Sequence, residues 1–256
     1  MPSLNDVQNA NALVVGASQG IGLGFVNYLL DHEAIAHVIA TYHNPDSASG
    51  LFSLDEQYPD RLTCLPLDAT NESQVADCIA HISTGIKTLH VVINCVGFLH
   101  SDDIQPEKSL KHINADQLLR YFQVNSVSGV LLAKYLIPLL RHDDRSIFAS
   151  ISAKIGSIGD NHLGGWYGYR ASKAALNMLM RTAAIEYQRK SPNTIVVTLH
   201  PGTTDTRLSK PFQGNVPPEK LFSVERTVTQ LMDVLDTLGS EDSGQFFSWD
   251  GSRLPW

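Results

Sequence analysis

Cysteine is scarce in this 256-residue chain, which contains three: Cys64, Cys78 and Cys95. An odd number excludes a fully paired disulfide framework, and their spacing fits no zinc motif. Because disulfides are rare in reducing compartments, three packed and reduced thiols are typical of a cytoplasmic protein. The ten histidines are also scattered without the spacing of zinc ligands, so we expect no bound metal.

The chain also lacks an excess of positive charge and long apolar runs. Lys and Arg number 19 against 26 Asp and Glu, and the formal net charge of −7 argues against a nucleic-acid-binding surface. No apolar run approaches the roughly 20 residues that span a bilayer. Residues 1–11 lack the basic and then apolar layout of a signal peptide. We therefore expect a soluble cytoplasmic protein that binds neither nucleic acid nor membrane.

Neither an internal repeat nor a low-complexity linker divides the chain, so we expect one domain over residues 1–256. Apolar runs predict seven strands, at 11–15, 37–43, 61–68, 89–94, 146–152, 194–199 and 244–249. Helices are predicted between them, at about 21–32, 72–85, 115–140, from 169 onward and at 223–238, with a loop or lid at 203–222. Continuous apolar strands that alternate with helices predict a Rossmann-type, doubly wound α/β fold, whose mostly parallel sheet has helices on both faces.

A glycine-rich turn joins the first predicted strand to the first predicted helix. Its pattern is Gly16-x-x-x-Gly20-x-Gly22, with Ser18, Gln19 and Ile21 in between. At such a turn, backbone N–H groups and the helix dipole bind a phosphate, and glycine lets the backbone come close. A plain tight turn is the alternative interpretation. A dinucleotide-binding turn requires a strand before it and a helix after it, and both are predicted here, so we favour the phosphate site.

The end of the second predicted strand bears on which dinucleotide binds. An acidic residue there binds the ribose 2′-hydroxyl of NAD and repels the 2′-phosphate of NADP. Thr41, Tyr42 and His43 stand there, and no carboxylate follows until Asp46. This favours NADP, although NAD stays possible because no arginine is present to bind the phosphate. Asp68 ends the third predicted strand, where it can meet the adenine.

Tyr169 and Lys173 lie four residues apart, just ahead of a run of good helix formers. On a helix this spacing places both side chains on one face. A free tyrosine has a pKa near ~10, and lowering it by roughly three units needs about 4 kcal/mol, which a cation one turn away helps to supply. Two solvated helix residues are the alternative interpretation of the spacing alone. A tyrosine with a lowered pKa can protonate a carbonyl oxygen as hydride arrives.

Taken together, these features resemble the classical short-chain dehydrogenase/reductase family over nearly the whole chain, and within it the C-factor and Sniffer-like branch. The family resemblance rests on Gly16, Gly20, Gly22, Asp68, residues 94–97, Asn125, Tyr169, Lys173, Pro201 and Gly202. The branch resemblance rests on residues 155–161, 164–173 and 251–256. The family implies a homodimer or homotetramer, formed through the 115–140 helix and the Tyr169 helix.

The resemblance implies roles for individual positions. Tyr169 would be the general acid/base, Lys173 would lower its pKa and hold the nicotinamide ribose, and Asn125 would hold a water of a proton relay. Cofactor contacts are implied for the glycine turn and for a wider set of residues, which comprises Tyr42, His43, Asp68, Asn94, Val96, Gly97, Tyr169, Lys173, Pro201, Gly202, Thr203 and Thr206.

The sequence departs from the family where the family has its catalytic serine, three residues before a glycine. Counting back from Gly156, Ala153 holds that place. We expect Ser152, one residue earlier, to polarise the carbonyl oxygen. In an alternative arrangement Ser157 or Ser150 takes this role, and in a further alternative the serine role is weakened.

The resemblance predicts an NAD(P)(H)-dependent oxidoreductase, NADPH-preferring, that reduces a carbonyl or oxidises a secondary alcohol. The alternative is a nucleotide-binding signalling or regulatory protein of the C-factor type, with little catalysis. The loops that would contact a substrate carry no charged cluster, so we expect a small or medium carbonyl compound and predict no narrower class.

Overall fold

A computed structural model of the chain describes residues 7 and 9–256; most of the N-terminal segment considered above, residues 1–6 and 8, lies outside them. The strands are β1 (Ala10–Val15), β2 (Ile35–Tyr42), β3 (Leu62–Pro66), β4 (Val91–Asn94), β5 (Ser146–Ile151), β6 (Thr194–His200), β7 (Thr203–Thr204), β8 (Leu221–Phe222) and β9 (Phe246–Ser248). The helices are α1 (Gly20–Asp31), α2 (Ser49–Gln57), α3 (Glu72–Gly85), α4 (Ala115–Phe122), α5 (Ser128–Leu140), α6 (Tyr167–Lys190) and α7 (Val224–Thr237).

Seven of the strands form one sheet in the order β3-β2-β1-β4-β5-β6-β9. Every pairing in it is parallel. The order reverses direction between β1 and β4, which creates the crevice where doubly wound sheets bind their ligands. The predicted Rossmann-type fold is confirmed.

Apolar side chains of the sheet pack into two cores, one on each face of the sheet. Along β1, Val14 belongs to the core beneath α1 and α7, whereas its neighbour Leu13 belongs to the core beneath α3, α5 and α6. Because successive strand residues point to opposite faces, an apolar strand must have both faces covered. This is why the sequence showed continuous rather than alternating apolar runs.

Three segments differ from the predictions. Helix α2 was not predicted, since its nine residues are largely polar and Leu51 alone among them is buried. The predicted helix over 115–140 contains five π-helical residues, Gln123–Val127, between α4 and α5. The segment 203–222, predicted as a loop or lid, holds the short parallel pair of β7 and β8 with 3₁₀ turns between them.

The 115–140 stretch also meets the length and composition of a membrane span, and it is the one stretch in residues 7 and 9–256 that does so. Of its most apolar 18-residue window, 56% is buried inside the fold. Burial of this kind is typical of a core helix of a globular domain.

Candidate active site

A cleft of about 350 Å³ opens at the carboxyl ends of β1, β4, β5 and β6. Strand ends that are far apart in sequence meet here because the sheet is parallel. The cleft brings together most of the predicted site residues, namely Gly16, Gln19, Gly20, Ile21, Gly22, Val96, Gly97, Ser152, Tyr169, Lys173, Pro201, Gly202, Thr203 and Thr206. The predicted residues outside this lining are Ser18, Tyr42, His43, Asp68, Asn94 and Asn125.

The glycine turn has the geometry of a phosphate-binding cradle. Gly16 and Gly20 have positive φ angles of 78° and 57°, which other residues rarely adopt. A Cβ atom on Gly22 would lie 2.2 Å from the Gly16 carbonyl oxygen, and one on Gly16 would lie 3.2 Å from the Val96 nitrogen. No described side chain caps the N-terminus of α1. Its first N–H groups therefore fit an anionic pyrophosphate.

Three predicted residues lie at the end of β2 and beyond β3, where the adenosine half of a dinucleotide would bind. His43 Nε2 lies 3.8 Å from Asp68 Oδ2, and both side chains are partly exposed. Burial acts to raise the pKa of Asp68, but hydrogen bonds from Thr70 and the charges of His43 and Arg120 lower it overall. Asp68 is therefore ionised at neutral pH. Tyr42 packs edge-on against Phe52, with ring centroids 5.0 Å apart.

Asn94 shapes the turn that follows β4. Its Oδ1 accepts the N–H of Val96 at 3.1 Å, and its Nδ2 lies 3.5 Å from Ser150 Oγ. The side chain is buried. Asn94 thereby holds Val96 against the glycine turn, where the Val96 nitrogen faces Gly16.

Asn125 lies within the π-helical segment and is buried. Its Oδ1 accepts the Phe98 N–H at 2.6 Å, and its Nδ2 donates to Phe98 O and to Ser172 Oγ, each at 2.9 Å. The side chain therefore ties the turn after β4 to α6. Asparagine is a weak helix former, and the π-helical segment gives a structural reason for its position inside a long helix. Such π-helical insertions are frequent at functional sites.

Tyr169 and Lys173 both lie on the buried face of α6, and each is less than a tenth exposed. Lys173 Nζ donates to the carbonyl of Ile151 at 3.0 Å and lies 5.9 Å from the centre of the Tyr169 ring. Burial lowers the pKa of Lys173 to about 8. Burial also raises the pKa of Tyr169, and Tyr121 adds to that effect. The expected lowering of the Tyr169 pKa by Lys173 is therefore not found in the chain alone.

The three candidate serines in and after β5 have hydrogen-bond partners or positions that do not involve Tyr169. Ser152 reaches the cleft, but its Oγ donates to Asn177 Oδ1 at 2.7 Å and it is buried against α6. Ser157 Oγ accepts an N–H from the following turn, and Ser150 is buried within β5. Ala153 packs against the cluster that contains Tyr169. The role given to Ser152 stays a prediction.

Aromatic rings pack around Tyr169, one from the buried side and others from the cleft lining. Tyr121 and Trp166 meet it edge-on, with ring centroids 6.3 and 6.2 Å away. Phe212 in turn packs on Trp166 at 4.8 Å. Leu208 also packs against this cluster. The surroundings of the Tyr169 ring are thus mostly apolar.

Glu107 is a site-supporting residue that sequence reasoning missed. Its side chain is 1% exposed, and its Oε2 accepts the N–H of Gly168 at 3.1 Å in the first turn of α6. The backbone oxygen of Glu107 accepts the N–H of Trp166, whose φ is 51°. A carboxylate at a helix N-terminus is stabilised by the helix dipole. Glu107 therefore caps the helix of Tyr169 from 61 positions away, and its polar surroundings in the sequence gave no signal of this.

A second missed cluster places His90, His142 and Asp144 with potential metal ligands within 4.8 Å of one another. His90 Nδ1 accepts the backbone N–H of Asn11, so the proton of the neutral ring sits on Nε2, the atom that faces Asp144. A metal at Nε2 would need that nitrogen unprotonated while Nδ1 carried the proton. The geometry thus disfavours metal binding by His90.

The three cysteines are free thiols. Burial raises the pKa of Cys78 to about 11 and, with Asp55, that of Cys64 to about 12. Cys95 lines the cleft, and burial raises its pKa as well. Thiols in this state are protonated at neutral pH and weakly reactive.

Comparison with known proteins finds one matching family model and several similar proteins. The family model of the short chain dehydrogenases matches residues 10–216. The NADPH-bound carbonyl reductase from chicken fatty liver is 28% identical with a TM-score of 0.85, covering 98% of this chain and 100% of that one. The carbonyl reductase Sniffer of D. melanogaster is 26% identical with a TM-score of 0.84, covering 97% and 100%. The C-signal protein of Myxococcus xanthus is 30% identical over 148 residues, or 58% of this chain and 84% of that protein.

The capping role of Glu107 can be tested by substitution. We expect Glu107→Ala to lower the free energy of unfolding by about 1–3 kcal/mol, because the buried Gly168 N–H loses its acceptor. Glu107→Gln keeps an oxygen for this N–H and is the matched control, with a smaller loss expected. Denaturant unfolding measures both variants. Equal stability of Glu107→Ala and the parent chain would contradict the role.

The lowered pKa of Lys173 predicts a pH dependence. The ammonium is the form that we expect to hold the nicotinamide ribose, and it loses its proton as the pH rises through about 8. The pH dependence of kcat/KM reports the ionisation of groups in the free enzyme. We therefore expect kcat/KM for the nicotinamide cofactor to fall above that pH. Lys173→Arg keeps its charge and should show no such fall, whatever its absolute activity. A profile that stays flat to pH 10 in the parent chain would contradict the assignment.

Proposed function

The chain belongs to the short chain dehydrogenase family, and we propose that it is an NADPH-preferring oxidoreductase that reduces a carbonyl group, or oxidises the corresponding secondary alcohol, by hydride transfer. The observation that carries this proposal is that Tyr169 and Lys173 line the same cleft as the Gly16–Gly22 turn. A proton donor and a dinucleotide-binding turn in one apolar cleft are what carbonyl reduction needs. A bound nicotinamide supplies the hydride, and the protein supplies orientation and the proton.

Tyr169 acts in this proposal as the general acid. Burial raises its pKa, so at neutral pH the hydroxyl is protonated and is ready to donate. As negative charge develops on the carbonyl oxygen, the Tyr169 proton moves to it. Lys173, 5.9 Å from the ring centre, then stabilises the phenolate that is left. Asn125 ties the backbone at Phe98 to the helix of Tyr169. We propose that it also holds a water of a proton relay.

The preference for NADPH rests on the end of β2. No carboxylate of β2 stands where it would repel a 2′-phosphate, and His43 is the basic group there. The similarity to a carbonyl reductase bound to NADPH supports the same preference. We propose that Tyr42 and His43 contact the adenosine ribose and its phosphate, and that Asp68 contacts the adenine.

The substrate we propose is a small or medium apolar carbonyl compound. Trp166, Phe212 and Leu208 offer it an apolar surface beside Tyr169. Two similar structures are named carbonyl reductases, which supports this class.

We also propose a homodimer or homotetramer in the cytoplasm. Large apolar side chains are exposed on the α4 and α6 helices, and Leu119, Met178 and Ile185 are 67%, 66% and 47% exposed. Such patches are typical of interaction surfaces. The free thiols support a reducing compartment.

The second candidate function is a nucleotide-binding signalling or regulatory protein with little catalysis. The similarity to C-signal favours it. The buried Tyr169–Lys173 pair argues for catalysis, because nucleotide binding alone does not need a proton donor that faces the substrate side of the cleft.

Substitution of Tyr169 by phenylalanine tests the catalytic function. The variant removes the hydroxyl and keeps the ring packing against Tyr121 and Trp166, so folding and NADPH binding should be unchanged. We expect its kcat for carbonyl reduction to fall by about 10²–10⁴-fold, the range of general acid–base catalysis. If Tyr169→Phe kept full activity, or kept the biological role of the chain, the regulatory function would be preferred.

Fluorescence titration with NADPH and NADH tests the cofactor preference. We expect tighter binding of NADPH, and we expect His43→Asp to weaken NADPH at least tenfold while NADH changes little, since a carboxylate repels the 2′-phosphate. His37→Asp, at a partly buried position elsewhere on β2, is the control for an added charge. Equal affinities of the parent chain for both cofactors would refute the NADP assignment.

A further inference from the structure

Residues 251–256, which we call the edge segment, lie along β9, the strand at one edge of the sheet. Phe247 of β9 and Arg253 face each other in antiparallel orientation. The Leu254 N–H also donates to the backbone oxygen of Phe246 at 2.8 Å. The edge segment thereby occupies backbone groups that an edge strand would otherwise leave open to another chain.

Side chains of the edge segment give it one defined position on the fold. The Trp256 ring stacks on Phe246, with ring centroids 6.0 Å apart and an angle of 21° between the rings. Phe246 is buried within β9, so the stack fastens Trp256 to the sheet. Arg253 Nη2 lies 2.6 Å from Asp242 Oδ1, an ion pair near the surface that contributes little on its own. The aromatic stack and the backbone pairing therefore carry most of the attachment.

Trp256 also contacts the turn that follows β5, residues 154–160, which we call the β5 turn. The Gly159 N–H donates to the backbone oxygen of Trp256 at 2.8 Å. A Cβ atom on Gly159 would lie 3.2 Å from that oxygen and 3.7 Å from the Cβ of Pro255. Gly159 does not have a positive φ, so glycine serves the close contact here rather than an unusual backbone conformation.

The β5 turn forms part of the cleft beside the catalytic helix. Lys154 and Ile155 line the cleft. A Cβ atom on Gly156 would lie 2.7 Å from the Cβ of Lys173, so the turn packs directly on α6. The Arg170 guanidinium of α6 donates to the backbone oxygen of Ile155 at 3.3 Å. The β5 turn is thus held by α6 on one side and by the edge segment on the other.

Contacts within the β5 turn link Gly159 to the residues that line the cleft. The Asp160 N–H donates to Ser157 Oγ at 3.1 Å, and the Ser157 N–H donates to the backbone oxygen of Lys154 at 2.9 Å. Lys154 Nζ lies 3.5 Å from Asp160 Oδ1, which joins the two ends of the turn. Because the turn is connected in this way, a displacement of Gly159 would also move Lys154.

We infer that the edge segment positions the substrate side of the cleft, because it holds the β5 turn against α6. The inference rests on the proposed reductase function and adds a part of the chain that nothing else in the site involves. No residue of the edge segment is among the described residues that line the cleft. The segment therefore acts through the turn, as a positioning element and not as a catalytic one.

Hydrogen exchange of the parent chain and two variants tests the contact itself. A chain that ends at Asp250 lacks the edge segment, whereas Gly159→Val keeps the segment and separates it from the turn. Gly85→Val is the matched control, since it adds the same side chain at the end of α3, where the space is open. Strand β2, in the other half of the sheet, reports general loss of stability.

We expect the amides of the β5 turn to exchange about tenfold faster in the shortened chain and in Gly159→Val, because local opening no longer breaks the contact with Trp256. Exchange in β2 should stay as in the parent chain, and Gly85→Val should change neither region. A synthetic peptide with the sequence of residues 251–256, added at millimolar concentration, should restore slow exchange to the shortened chain and leave Gly159→Val unaffected.

Kinetics with NADPH and benzaldehyde connect this contact to the cleft. We expect KM for benzaldehyde to rise about tenfold in the shortened chain and in Gly159→Val, while kcat falls by less than about threefold, since a loss of uniform binding raises KM alone. Tyr169 and Lys173 keep their places because α6 carries them. The peptide should lower KM again in the shortened chain.

Three results would separate the possible errors. Unchanged exchange in the β5 turn of both variants, or an equal rise in β2, would overturn the inference. Faster exchange in the turn with an unchanged KM would also overturn it and leave the proposed function standing. A parent chain that bound NADPH without reducing benzaldehyde, with the exchange results as expected, would overturn the proposed function for apolar carbonyl compounds and leave the positioning of the turn standing.

Discussion

The site is organised around one constraint, the burial of the Lys173 ammonium. Lys173 is 3% exposed, and the Ile151 carbonyl is the one hydrogen-bond acceptor found for it in the described part of the chain. A side chain on Gly97 would approach its Nζ, and one on Gly156 would approach its Cβ at 2.7 Å. The turns after β4 and β5 thus pack directly against Lys173. A lowering of its pKa from 10.5 to about 8 corresponds to roughly 3 kcal/mol, which packing elsewhere must offset.

The free-energy cost of burying Lys173 bears on the proposed reaction. In the chain alone burial disfavours both the ammonium and the Tyr169 phenolate, since it lowers one pKa and raises the other. In the proposed mechanism, the two charged forms occur together only after the proton has left Tyr169, and each then favours the other. A pair held under these conditions would stabilise the charge that develops in the proposed reaction more than the charge of the resting state, and such a difference lowers a barrier.

The sequence predicted the parallel sheet and the glycine turn, because these depend on short local patterns. Gly16, Gly20 and Gly22 are required by backbone geometry that adjacent residues impose. The sequence could not predict the capping role of Glu107, because that role comes from a contact with Gly168 that only the fold creates. The direction of the Tyr169 pKa shift was missed for the same reason. Helical spacing with Lys173 is visible in the sequence, whereas burial by Tyr121 and Trp166 is not.

The substrate side of the cleft is built apart from the cores that hold the fold. Val14 and Leu13 belong to the two sheet cores, whereas Tyr169 belongs to a third, smaller cluster with Leu99 and Tyr121. A change within that small cluster leaves the packing of both sheet faces intact. Ala153 packs against that small cluster and lines the cleft, and it belongs to neither sheet core. The residues that form the cleft beside Tyr169 are therefore largely separate from those that hold the sheet together.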